Sequence, residues 1–94
     1  MANTKSAEKR IHTNERNRLK NRFYKSSVRT LTKSFFKYLE VYKSSKNLED
    51  RDRAEETLNS IYSLIDKGTK RNVFHKNTAA RKKSRLLFHF KWNL

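Results

Sequence analysis

Residues 24–42, YKSSVRTLTKSFFKYLEVY, place Tyr24, Val28, Leu31, Phe35, Tyr38 and Tyr42 at alternating steps of four and three. That spacing aligns all six along one seam of an α-helix, so the segment is expected to pack against other helices. Neither Pro nor Gly interrupts the chain from Lys5 to Tyr42, and the helix is expected to run back unbroken towards the N-terminus. Upstream of Tyr24 the seam thins to Ala7, Ile11 and Leu19, while Lys5, Lys9, Arg10, Arg16, Arg18, Lys20 and Arg22 crowd the same turns. A rod from Lys5 to Tyr42 would measure about 57 Å at 1.5 Å per residue, longer than a small domain is wide. Its basic end is therefore expected to project as an arm from a base packed by the apolar end. Either Thr4 or Ser6 can cap the start of this helix.

Downstream, KSSKN at residues 43–47 supplies a polar turn, and Asn47 is placed to cap a second helix whose first turn holds Glu49 and Asp50. Ala54, Leu58, Ile61 and Ile65 then repeat the four-three-four spacing and give a second seam, suited to packing antiparallel to the first. Gly68, the only glycine, is expected to end this helix in a left-handed cap. Beyond it, Val73, Ala80, Ser84 and Leu87 form a weaker third seam, with Ala79 and Ala80 small enough to allow close approach. No period-two alternation, hairpin dipeptide or internal repeat occurs. The expected fold is all-α: one domain over residues 1–94, a three-helix bundle with helices near 5–43, 48–67 and 72–90. The long first helix extends beyond the bundle.

With 34% hydrophobic residues in a chain of 94, the core is near the lower limit for independent folding. The absence of Cys excludes disulfides and thiolate metal sites, and His12, His75 and His89 lack ligand spacing. The acidic group Glu49, Asp50, Asp52, Glu55 and Glu56 is interleaved with Arg51 and Arg53, as on a solvated helix face, so no metal or other cofactor is expected. Neither a membrane-spanning run nor a secretory h-region is present, and no nucleophile has a base within evident reach. The expectation is a non-enzyme with no small-molecule substrate, no membrane association and no self-association.

The net charge of +15 is unevenly distributed. Residues 1–30 carry nine Lys or Arg against two acids, residues 31–66 carry six against seven, and residues 67–94 carry nine with no acid at all. Two cationic ends around a neutral middle are the electrostatic footprint of a polyanion binder. In IHTNERNRLKNR, residues 11–22, Asn and Thr are interspersed with Lys and Arg. Cations neutralise phosphates while amides and hydroxyls bond to phosphate and sugar oxygens, which suits a grip on a nucleic-acid backbone. A merely solubilising helix would alternate its cations with acids, yet none occurs between Arg16 and Lys37. His75, Lys76, Asn77 and Thr78 fall near the start of the third helix, where free amides favour phosphate, although His75 and Asn77 also suit an ordinary cap.

The run KGTKRNVFHKNTAARKKSRL, residues 67–86, resembles the signature region of the bacterial-type small-subunit ribosomal protein family numbered twenty, with its His-Lys-Asn, Ala-Ala-Arg and basic pair. MANTKSAEKRI at residues 1–11 and NRLKNRFYKSSVRTLTK at residues 17–33 resemble the same family's first helix. The resemblance implies a structural protein of the small ribosomal subunit, bound to 16S-type rRNA and adjacent to other small-subunit proteins. It further implies rRNA contacts from Lys5, Lys9, Arg10, Arg16, Arg18, Arg22, Lys25 and Arg29 in the first helix. His75, Lys76, Asn77, Arg81, Lys82 and Arg85 would supply those of the third. The C-terminal LLFHFKWNL departs from the family, whose members more often end in small and polar residues. Nine Asn against five Ala suit an AT-rich genome, and with a family-like start a plastid protein is expected, or alternatively one of bacterial cytoplasm. A DNA-compacting protein would share the charge and the helices, and a basic module on anionic membranes would share the amphipathicity.

Overall fold

The computed structural model describes residues 4–93. Three helices account for nearly all of them: α1 (Thr4–Ser45), α2 (Leu48–Lys70) and α3 (Lys76–Trp92), with no strand among the described residues. The all-α architecture with a long first helix is the one expected from the seams. Thr4 and Ser6 both lie inside α1, and neither stands before its first described turn as a cap would.

α1 and α2 form an antiparallel hairpin closed by a two-residue connection. Lys46 takes a left-handed conformation (φ 57°) and its amide donates to the Tyr42 carbonyl at 2.8 Å, which terminates α1. Asn47 caps α2 as expected, its side chain accepting from the Glu49 amide, and Ser45 donates to Asp50 across the turn at 2.6 Å. Tyr24, Val28, Phe35 and Leu39 of α1 are buried in one cluster with Ala54, Leu58, Ile61 and Ile65 of α2, Leu31 and Tyr38 are half-buried beside them, and Tyr42 is buried near the turn. All four residues of the second seam are thus in the core. In the first, Leu39 takes a buried place that the spacing assigns to Tyr38.

The expected glycine cap is absent. Gly68 lies within α2, which continues to Lys70, and the left-handed residue that ends the helix is Asn72 (φ 63°). The Asn72 amide donates to the Thr69 carbonyl at 3.1 Å and the Val73 amide to the Gly68 carbonyl at 2.7 Å, the paired bonds of a Schellman motif. Asn tolerates this conformation because its short polar side chain can bond locally. Gly68 is required for a different reason: a Cβ there would stand 2.6 Å from Cδ2 and 2.7 Å from Cε2 of Phe74, whose ring closes the end of the core. Gly→Ala in an unencumbered helix stabilises by about 1 kcal/mol. Gly68→Ala is expected to do the reverse, because displacing a packed ring costs about 1 to 3 kcal/mol, and a lowered thermal midpoint in circular dichroism checks the sign.

α3 starts at Lys76 rather than near Asn72, since residues 71–75 are consumed by the turn. Its buried residues are Ala79, Leu86 and Phe90, with Lys83 half-buried between them. Of the expected seam, Ala80, Ser84 and Leu87 are therefore out of phase by one residue, whereas Val73, in the turn before α3, packs against the core as expected. Lys83 explains the shift, because its alkyl stem covers apolar surface at a core-facing position while its ammonium reaches Asp66 at 2.8 Å and stands over the Tyr62 ring. The Tyr62 hydroxyl donates to the Lys83 carbonyl at 2.7 Å, so α3 is tied to α2. Burial raises the Tyr62 phenol above its ordinary pKa, and the Lys83 charge only partly offsets this.

α3 packs chiefly on α2 and meets α1 only sparsely. With a radius of gyration of 18.0 Å, the molecule is more extended than the roughly 12 Å of a compact chain this size. Its long axis of 67 Å is set by α1, and residues 4–19 are exposed throughout. They form the projecting arm.

Candidate nucleic-acid interface

Because α1 and α3 both lean on α2 and scarcely touch each other, an open groove runs between them. One wall carries Lys25, Arg29 and Lys33, four residues apart along one face of α1. The other carries Lys82, Arg85 and His89 of α3 with His75 at its start. Val28, Phe74 and Leu86, all buried, form the floor. Among the described residues no carboxylate lines the groove, so five permanent cations share it without an internal counter-ion.

Of the residues singled out from sequence, Lys25, Arg29, His75, Lys82 and Arg85 are brought together here. His75 is the N-cap of α3, its Nδ1 accepting from the Asn77 amide at 3.1 Å. Its Nε2 then carries the proton of the neutral ring. Lys82 stands 5.0 Å over the Phe74 ring, which fixes its stem at the groove edge. Lys76, Asn77 and Arg81 are exposed on α3 but do not line the groove. Lys76 instead borders a smaller cleft between α2 and α3, with Lys70 and Lys83.

Lys5, Lys9, Arg10, Arg16, Arg18 and Arg22 are exposed along the arm, where Arg18 also approaches Glu15 at 4.0 Å. At 100° per residue they divide between faces. Lys5, Lys9, Arg16 and Lys20 fall within one narrow stripe. Arg18 and Arg22 fall on another, which continues through Lys25, Arg29 and Lys33 into the groove. Arg10 belongs to neither stripe. The arm thus presents cations on two sides.

Lys33 and His89 are groove residues that the sequence reading did not select. The repeat Lys25, Arg29, Lys33 was there to be found, as was Lys82, Arg85, His89, but which stripes face each other depends on where α2 sets the two helices.

The ribosomal protein S20 family profile matches residues 2–91. The chain is 69% identical over 91 residues to "Small ribosomal subunit protein bS20c" of Trieres chinensis, covering 97% of this chain and 98% of the relative. It is equally identical over 86 residues to the protein of that name from Phaeodactylum tricornutum, covering 92% of each. It is 53% identical over 91 residues to "Small ribosomal subunit protein bS20" of a Picosynechococcus species, covering 97% of this chain and 92% of the relative. Matches of this identity and extent, on a scaffold whose exposed cations outnumber its acids at both ends, assign the chain to the ribosomal protein S20 family, structural constituents of the small ribosomal subunit.

Proposed function

We propose that this chain binds small-subunit rRNA directly, holding the phosphate-sugar backbone in the groove between α1 and α3 while the arm lies between further RNA segments. The observation that carries this reading is the acid-free groove. Five Lys and Arg side chains held on facing walls repel one another in the free protein, and a polyphosphate strand relieves the repulsion as it enters. Thr78 on the α3 wall adds an uncharged hydroxyl suited to ribose and phosphate oxygens, and the Thr32 hydroxyl, whose proton goes to the Val28 carbonyl at 2.6 Å, can accept from a ribose 2′-hydroxyl. The two cationic faces of the arm suit contact with more than one RNA strand. Recognition then rests on shape, phosphates and 2′-hydroxyls, because the major groove of an RNA duplex is too deep and narrow for side chains to read. The plastid-type designation of the two diatom relatives, together with the Asn-rich, Ala-poor composition, supports assembly into a plastid ribosome in the stroma.

With roughly six to ten phosphates contacted, affinity for a small-subunit rRNA transcript is expected to fall about three to five orders of magnitude between 50 and 200 mM salt, on the counterion-release scaling of duplex nucleic acid. Filter binding across that range tests it, and a flat salt response rejects a phosphate grip. Duplex DNA added as competitor separates this reading from DNA compaction, since a preference for DNA would reject the ribosomal one.

A further inference from the structure

The outer face of α3 carries Arg81, Arg85, Phe88 and Trp92 at steps of four, three and four, on one stripe turned away from the core, with Arg85 at the edge where this stripe meets the groove. Phe90 and Leu86 are the residues of this stretch that enter the core. Phe88 is 61% exposed and Trp92 79% exposed, and their rings lie 5.8 Å apart at an interplanar angle of 18°, a stacked pair. The pair is not loose. His89 packs edge-on against both Phe88 (5.9 Å) and Phe36 of α1 (5.1 Å), so a chain of rings ties the platform to the hairpin.

We infer that Phe88 and Trp92 form a stacking platform for an unpaired rRNA base, next to a backbone held by Arg81 and Arg85. This rests on the reading that the chain binds small-subunit rRNA through its cations. An exposed aromatic pair ordinarily marks a contact surface, because Phe and Trp bury large areas once covered. Its surroundings identify what covers it: residues 67–94 contain no acid, Arg81 and Arg85 continue the stripe, and Lys91 flanks it. A base fits this setting because its flat face stacks on an aromatic ring while its own phosphate meets the neighbouring guanidinium groups. Single-stranded loops and bulges present such faces, whereas paired bases keep theirs inside the duplex.

Trp92 is the only tryptophan, so its emission reports on the platform alone. The full chain is titrated with small-subunit rRNA transcript, binding being followed independently by filter retention. Quenching of Trp92 emission in step with retention is expected, and a blunt RNA duplex should be retained without comparable quenching. Phe88→Ala and Trp92→Ala should each lower rRNA affinity by a factor of about 5 to 150. The salt slope should be unchanged, because neither removes a charge. Trp92→Phe should keep most of the affinity and Trp92→Leu should not; circular dichroism confirms that each variant remains helical. Steep, salt-dependent retention with unchanged emission and full affinity in both alanine variants overturns the platform and leaves rRNA binding standing. Equal quenching by duplex RNA also overturns it. Quenching by other small-subunit proteins but not by rRNA reassigns the face to protein. Loss of retention in the unaltered chain overturns the rRNA reading itself, and the platform with it.

Discussion

Reversing both groove walls at once, Arg29→Glu with Arg85→Glu, is expected to weaken binding to small-subunit rRNA by about two orders of magnitude or more. Hydrogen bonds to charged groups contribute about 1.5 to 3 kcal/mol each, and here two are exchanged for repulsions. The same change should flatten the salt dependence by at least about one unit of slope per lost phosphate contact. Folding should survive. Both side chains are exposed, and Arg29 lies between Lys25 and Lys33, so a glutamate there gains favourable partners one turn away on each side. Filter binding at several salt concentrations, paired with circular dichroism, checks the prediction. Unchanged affinity with unchanged slope would mean that the groove faces something other than RNA. Exchanging Lys83 makes the useful contrast, since its ammonium is occupied by Asp66 and its loss should disturb the α2–α3 contact rather than the salt slope.

What could be read without coordinates follows from how much each helix depends on its neighbours. α2 has one apolar stripe and charged residues elsewhere, so its four core residues and its Asn47 cap are local properties. α3 has no such clarity. Leu86, Leu87 and Phe88 follow one another, Ala79 and Ala80 are adjacent, and Val73 precedes Phe74, so apolar residues satisfy more than one phase. The deciding residue is a lysine, Lys83, which a hydrophobic pattern counts against the core although its stem belongs there. Gly68 misleads similarly, because the helix-ending role of glycine is the commoner one. Its true constraint is the ring of Phe74, six residues on and brought back by the turn. The site divides along the same line. The cationic stripes are sequence properties, whereas the groove exists because α2 separates α1 from α3. His75 was legible in both of its senses, and the structure places it as a cap that also borders the groove.

Phe35→Ala is expected to cost about 3 to 5 kcal/mol, the usual range for deleting a buried ring that neighbours cannot replace. Phe35 is fully buried, and its ring faces Phe90 at 6.4 Å, one of the few contacts linking α1 to α3. A chain of this length has about 5 to 14 kcal/mol of stability in total, so the loss is a large share of it. The thermal midpoint should drop by more than about 12 °C. The arm cannot compensate, because residues 4–19 bury nothing and a helical segment of that length is marginal alone. Helicity lost on heating should therefore include the arm as well as the hairpin. Saturating rRNA should restore part of the fold, since a ligand at a hundred times its dissociation constant adds about 2.7 kcal/mol to the bound state. A variant that melts early alone but late in complex would show that the bundle's small core is sufficient only because the RNA it holds completes the stabilisation. A midpoint unchanged in the free protein would instead mean that Phe35 is not the keystone its burial implies.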